Sequence, residues 1–341
     1  MTHSIALNFE DGVTRFVEAR PGETVADAAY RLGINIPLDC RDGACGTCKC
    51  RVESGSYDGG SYIEDALTEE EAASGLALAC QARPKTDLVV AIPAASTACK
   101  TRPQSFETVL RGVERLSETS LAFTLDRPAG LAFLAGQYVN LRVPATEQRR
   151  SYSFSSAPGA DGLSFLVRDI SAGLMSGWLR AAQPGVAMEF TGPSGSFYLR
   201  DVARPVLFLA GGTGLAPFLS MLGRLAETGC DQPVRLIYGA TNDADLVGLA
   251  ELDAYASRLP GFSYVTTVAA EGSAHPRKGY VTAHVDASWL NGGDVDVYLC
   301  GPPPMVDAVR GWLAAQGVTP AAFHYEKFSP SGPADAARLA A

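Results

Sequence analysis

Four cysteines, Cys40, Cys45, Cys48 and Cys80, are spaced C-x4-C-x2-C with the fourth far downstream. Thiolates are soft ligands that both iron–sulfur clusters and zinc accept. Zinc sites are usually built from two close pairs of cysteine or histidine. Here three cysteines share one short loop, which is the spacing of a [2Fe–2S] cluster, a one-electron carrier. Gly43 and Gly46, inside the run CRDGACGTC, let the backbone approach the cluster and aim N–H groups at its sulfurs. The other thiols, Cys50, Cys99, Cys230 and Cys300, read as small buried side chains.

A second set of residues suits phosphate and a flat ring. Arg150-Ser151-Tyr152-Ser153 ends an arginine-rich run. Arginine grips a pyrophosphate with paired hydrogen bonds and a permanent charge. Tyr152 offers a flavin its face and hydroxyl, and Ser153 a hydrogen bond near the flavin's reactive nitrogen. Further on, Gly173-Leu174-Met175-Ser176 opens a helix whose free N–H groups and serine hydroxyl suit an anion. Alone, the arginine run is equally a strand with an exposed charge; with the helix start it reads as a flavin phosphate clamp.

Gly211-Gly212-Thr213-Gly214 runs from a strand into a turn and then a helix capped by Thr213, with Pro217 in its first turn. It is either a phosphate-binding turn or a plain strand–helix connection, and it departs from strict G-x-G-x-x-G. Cys300-Gly301-Pro302-Pro303-Pro304-Met305 follows the last strand that the pattern predicts. The carboxyl end of a parallel strand beside the glycine turn is a ligand crevice. The loop after 234–241 carries Asp243 and Asp245 and no basic residue. A 2′-phosphate needs Arg or Lys, so these carboxylates favour NADH over NADPH, unless both only face solvent. The four histidines form no spaced ligand set, and no Ser/His/Asp constellation emerges.

The elements that must position these residues fall into three blocks. In 1–97, strands at 4–9 and 14–19 flank the turn Glu10-Asp11-Gly12. Thr24 caps a helix stopped by Gly33, a strand follows the cysteine loop, and Thr68 with Glu71 forms a capping box before Cys80 and a strand at 87–93. This order fits a β-grasp fold. Residues 94–104 are small, polar and proline-containing, and the linker is placed at 98–104. In 105–203, short alternating runs separated by Gly and Pro predict a six-stranded antiparallel barrel. In 204–341, strands and helices alternate, predicting a parallel α/β sheet, with a frayed tail after Ser329.

The motif order resembles the NADH-dependent reductase components of aromatic-ring dioxygenases, most closely those of the benzoate/toluate/anthranilate type, over about residues 1–328. DCRDGACGTCKC, RSYSFSS, GGTGLAPF, CGPPPM and YEKF carry the resemblance. It implies a multidomain α+β chain: plant-type [2Fe–2S] ferredoxin, FAD-binding barrel and NAD-binding domain. It implies FAD held by Arg150, Ser151, Tyr152, Ser153, Val167, Arg168, Gly173, Met175 and Ser176, with Phe328 covering the flavin face. Nicotinamide dinucleotide would lie at Gly211, Gly212, Thr213, Gly214, Pro217 and Gly301, Pro302, Met305, with Asp243 at the ribose. Ser153, Cys300 and Glu326 are the implied catalytic residues. Electrons would run from NADH through FAD to the cluster, then to a terminal oxygenase. The reductase of a di-iron monooxygenase shares this architecture, and a zinc-binding protein without redox activity is the reading from another class.

Composition sets outer bounds. Net charge is −9, and residues 1–97 carry 15 acidic and 8 basic residues, or −7 of it. An acidic chain without basic clusters speaks against nucleic acid and anionic membranes; the acidity serves solubility or a basic redox partner. The N-terminus has no secretory pattern and no apolar run approaches a membrane span. A cytoplasmic monomer is expected.

Overall fold

The computed structural model describes residues 2–38, 41–44, 46–99 and 104–328. The chain divides into two compact units: residues up to 104 with 192–196, and 105–191 with 197 onward. No helix among the described residues is long and apolar enough to cross a membrane.

The first unit begins with the hairpin β1 (His3–Phe9) and β2 (Thr14–Ala19). Its turn closes through Phe9 N to Val13 O, with Gly12 at φ +74°. Helix α1 (Val25–Arg31) starts at Thr24, whose hydroxyl accepts from Asp27 N. Then come β3 (Lys49–Ser54), β4 (Tyr57–Asp58), α2 (Glu69–Ala73), β5 (Leu76–Leu78), β6 (Arg83–Pro84) and β7 (Leu88–Ile92). The main sheet runs β2-β1-β7-β3-β5, with β1 and β7 parallel. Ile5, Leu7 and Val17 alternate inward with Val90 and Ile92, under Val25, Ala28 and Ala29 of α1. The capping box at α2 is present, with Thr68 and Glu71 each bonding the other's backbone.

The stretch expected to loosen into a linker is held down at its start. Ala94, Ser96 and Cys99 are buried. Ser96 donates from N and Oγ to Asp11 Oδ2 (2.9 and 2.8 Å), and Cys99 O accepts from Asn35 N (2.8 Å). Small polar residues allowed this packing as readily as they would a loose tether. The rest of the expected linker, 100–103, and the tail from Ser329 lie outside the described residues.

The barrel strands, all but Gln104 and residues 192–194 of them in the second unit, are β8 (Gln104–Arg115), β9 (Ser120–Asp126), β10 (Tyr138–Arg142), β11 (Arg149–Ser153) and β12 (Gly162–Arg168). Helix α3 (Leu174–Leu179) and β13 (Ala187–Ser194) follow. The order β11-β10-β13-β8-β9-β12 is antiparallel, and the Phe154–Phe165 bridge with Ser155 N to Ser164 O (2.8 Å) nearly closes the ring. Phe123, Phe154, Phe165 and Phe190 fill it.

The unit's remaining elements are β14 (Val206–Gly211), α4 (Ala216–Thr228), β15 (Val234–Ala240), α5 (Leu249–Arg258), β16 (Phe262–Val268), β17 (Asp296–Gly301), α6 (Pro303–Ala315) and β18 (Ala322–Lys327). They form a parallel sheet ordered β16-β15-β14-β17-β18. Phe208, Ala210, Leu236, Tyr238, Tyr298 and Cys300 face α4, while Leu207, Leu209, Val297 and Leu299 face Val306 and Val309 of α6. Strands buried on both faces need continuous apolar runs, which is how β14, β15 and β17 read. The fifth strand, β18, was not expected. The helical stretch expected between β16 and β17 is two short 3-10 segments, Val281–His284 and Ala287–Gly293.

Candidate functional site

Two of the four cluster cysteines, Cys48 and Cys80, lie among the described residues; Cys40 and Cys45 do not. Cys48 precedes β3 and Cys80 follows β5, and the pairing of Lys49 with Leu78 brings the two ends together. Ala79 N donates to Cys48 O (3.0 Å), and both thiols are buried. Gly43 (φ +83°) and Gly46 (φ +72°) are left-handed, and a Cβ there would meet Ser61 O at 2.5 Å and Ala66 O at 3.1 Å. Gln81, which sequence reasoning missed, aims Nε2 at Cys80 Sγ (3.9 Å) and at Arg41 O (3.2 Å). Buried thiols, a side-chain N–H on sulfur and glycines too crowded for a side chain fit a [2Fe–2S] cluster. Cys50 packs inward with Sγ toward Ala77 O (3.5 Å), and burial, then the nearby Cys80, pushes its thiol up to about 12.

The barrel edge and the parallel sheet meet at three residues. Antiparallel pairing sets Ser153 opposite Tyr138 at the end of β11. Ser153 Oγ donates to Glu326 Oε2 on β18 (3.1 Å), and Cys300 Sγ on β17 lies 4.0 Å from the same oxygen. β17 and β18 pair Cys300 with Glu326, which fixes that side of the triangle. Burial, then the Glu326 carboxylate, raises the Cys300 thiol well above its usual range, so it stays protonated at neutral pH.

Tyr152 packs edge-on to Phe123, and burial raises its phenol. Arg150 folds back onto Arg149 O and Gln148 Oε1 (both 2.9 Å), while Ser151 Oγ donates to Asn140 Oδ1 (2.7 Å). Val167 and Met175 are buried in the barrel core, and Arg168 is exposed. Gly173 is the N-cap of α3. The Ser176 hydroxyl, expected to face an anion, instead donates to Ile170 O (2.9 Å) and accepts from Ile170 N (3.2 Å). It closes its own loop, and a Cβ on Gly173 would collide with it at 2.5 Å. Nearby, Asp169 takes Arg115 (2.8 Å) and Arg180, so this corner is already an ion network.

At the sheet's switch point Ala210 pairs with Cys300. Gly212 has φ +54°. A Cβ on Gly211 or Gly301 would lie 2.5 or 2.6 Å from Met305 Sδ, and one on Gly214 2.4 Å from Cys300 O. Gly214 therefore cannot take a side chain without shifting the backbone of β17, whereas Met305 could swing aside from a Cβ at Gly211 or Gly301. Thr213 does not cap α4: it sits in a 3-10 turn, Gly212–Leu215, and Leu215 precedes the helix without a side-chain cap. Pro217 is in the first turn of α4. Pro302 precedes α6, and Phe328 N donates to Gly301 O (2.9 Å) while its ring packs on the core below.

Asp243 is exposed after β15, whereas Asp245 accepts from Asn242 Nδ2 (3.0 Å) and from Thr119 Oγ1 of the barrel. The loop after β16, which sequence reasoning passed over, lies beside this one through Ala269 N to Ala240 O and Ala270 N to Thr241 O (both 2.9 Å). It carries the exposed Arg277 and Lys278.

Comparison with known proteins agrees with this layout. Residues 8–85 match the 2Fe-2S iron-sulfur cluster binding domain, 108–198 the oxidoreductase FAD-binding domain, and 208–311 the oxidoreductase NAD-binding domain. The toluate 1,2-dioxygenase electron transfer component of Pseudomonas putida is 55% identical over 97% of this chain and 100% of its own. The 2-halobenzoate 1,2-dioxygenase electron transfer component of Burkholderia cepacia is 54% identical over 97% and 99%. Among solved structures, an Amycolatopsis cytochrome P450 reductase superposes with a TM-score of 0.71 at 33% identity, over 96% of this chain and 100% of the other. The chain belongs to the family of aromatic-ring dioxygenase electron transfer components, oxidoreductases that join a [2Fe–2S] domain, an FAD domain and an NAD domain in one polypeptide.

Proposed function

We propose that this chain oxidises NADH and delivers the electrons singly, through its [2Fe–2S] cluster, to the Rieske terminal oxygenase of a benzoate-, toluate- or anthranilate-type dioxygenase. Bound FAD supplies the exchange between a two-electron hydride donor and one-electron acceptors. The convergence of Ser153, Cys300 and Glu326 carries the reading. With FAD bound, Ser153 would present a hydroxyl, oriented by Glu326, to the flavin's reactive edge. Cys300, a neutral thiol, packs where the nicotinamide must reach that edge. Glu326 can hold or release a proton at Oε2, one hydrogen bond from Ser153. Arg150, Ser151, Tyr152, Val167, Arg168, Gly173, Met175 and Ser176 form the FAD cradle, the Ser176 part acting through loop shape. Phe328 would cover the flavin face. Gly211 to Gly214, Pro217, Gly301, Pro302 and Met305 admit the dinucleotide, and Asp243 favours NADH at the ribose. Cys40, Cys45, Cys48 and Cys80 hold the cluster. The domains divide at 97, 104 and 203, and the protein is a cytoplasmic monomer.

The test is NADH-driven turnover with purified oxygenases. Cys45→Ser is expected to abolish cytochrome c and oxygenase reduction while leaving NADH–ferricyanide activity. Loss of both in a folded protein overturns the electron order. Turnover only with a di-iron hydroxylase overturns the partner, and equal kcat/KM for NADH and NADPH overturns the role of Asp243.

A further inference from the structure

The loop that lies on the cysteine turn carries an exposed apolar pair in an acidic setting. Ile63 N donates to Gly43 O (3.2 Å), Ser61 O would lie 2.5 Å from a Cβ on Gly43, and Ala66 O presses on Gly46, at 3.1 Å from a Cβ there. Ala66 N and Leu67 N both close onto Ile63 O (3.0 and 3.3 Å), so 63–66 is a tight turn with Glu64 and Asp65 at its tip. Tyr62 is 38% and Ile63 50% exposed. Residues 58–71 contain six carboxylates and no lysine or arginine. Of the cations that adjoin the loop, Lys49 pairs with Glu71 (2.6 Å), Arg41 pairs with Asp27 (3.2 Å) while covering the Tyr30 ring, and Arg83, which reaches Gly60, donates to Gln81 O (3.1 Å).

A contiguous aromatic and aliphatic pair in water marks a surface that something else covers, and an apolar centre with a charged rim is the anatomy of a transient protein interface. We propose that Tyr62 and Ile63, rimmed by Glu64, are the docking surface for the terminal oxygenase, which meets them with an apolar spot ringed by lysine or arginine. The proposal rests on the oxygenase reading above. Charge complementarity selects this occupant: a second copy of the chain would set carboxylates against carboxylates, and an anionic lipid surface would be repelled. Position selects it too. The backbone of this loop is bonded to the cysteine turn, so a partner seated on Ile63 is held against the cluster's own enclosure.

The experiment uses full-length holoprotein with the toluate 1,2-dioxygenase oxygenase as probe. Ile63→Ser and Glu64→Lys are each compared with wild type by stopped flow, following NADH-to-cluster reduction and cluster-to-oxygenase transfer across a salt series. The expected result is at least a ~10-fold fall in the second-order rate of oxygenase reduction for Glu64→Lys at low salt, converging with wild type at high salt. Ile63→Ser is expected to lower the rate at all salts, with cluster reduction by NADH unchanged in both. Unchanged oxygenase rates, or an equal fall in the internal step, overturn this surface. Wild type that reduces its cluster yet fails to reduce the toluate, benzoate and anthranilate oxygenases alike overturns the oxygenase reading itself and the partner assigned here.

Discussion

Ser153 holds the smallest unit of the chemistry, one hydroxyl between a barrel strand and a carboxylate. Ser153→Ala removes the hydroxyl that Glu326 orients and is expected to slow NADH-driven flavin reduction by ~100-fold, the order lost with one preorganised polar group, with little change in NADH affinity; rapid-reaction kinetics measures both. His324, two residues before Glu326 on the same strand, is half-buried against Tyr298, and desolvation first, then Arg200, lowers its pKa to about 3. Its folded value lies below the ordinary 6.5, so its contribution to stability is present above pH 6.5 and is lost as pH falls toward 3. Cys99 acts in the opposite sense. Burial raises it from 9.0 to about 12, so its contribution is present below pH 9 and is lost as pH rises through 12. Urea titrations across pH should show both flanks, with the acid one flattened in His324→Phe. At this scale the sequence was legible where chemistry sits in a contiguous run, as in RSYS and CGPPPM. Gln81 and Ser176 were not legible, because the partners of a glutamine or serine are set by what the fold brings near: here a thiol and the Ile170 backbone.

The glycine turn after β14 shows how an element sets a site's tolerance. A Cβ at Gly214 would press on the backbone of β17, so Gly214→Ala is expected to cost about 2–4 kcal/mol and to raise KM for NADH, read by thermal melts and steady-state kinetics. Thr68→Ala removes one half of a capping box beside the Lys49–Glu71 pair and should cost about 1 kcal/mol in the first unit, while kcat for NADH–ferricyanide stays the same. Elements buried on two faces, or bounded by strong caps, could be read from the sequence. β18 could not: all six of its residues are half-buried, so AFHYEK shows neither alternation nor an apolar run. Thr213 has the right residue type for a cap, but the backbone takes a 3-10 turn before α4 begins.

The molecule as a whole divides its labour between two compact units, the first burying Ile5, Leu7, Val17 and Val90, the second the clusters of its barrel and parallel sheet. Metal binding is coupled to folding, so removing the cluster is expected to lower a first-unit thermal transition by several degrees while the NADH–ferricyanide activity of the second unit survives. Calorimetry of cluster-free and holo chains, with activity assayed after each scan, checks this. The three-block order of the chain was plain from where its motifs fall, since cysteine loop, arginine run and glycine turn follow one another without overlap. The parallel pairing of β1 with β7 has a consequence for biosynthesis. Ile5 finds its partner only when Leu88 has been made. Until then the N-terminal hairpin shows one unfilled sheet edge, and Cys80 precedes in the chain the strand that fills it. All four cysteines of the motif are therefore made before the sheet can close.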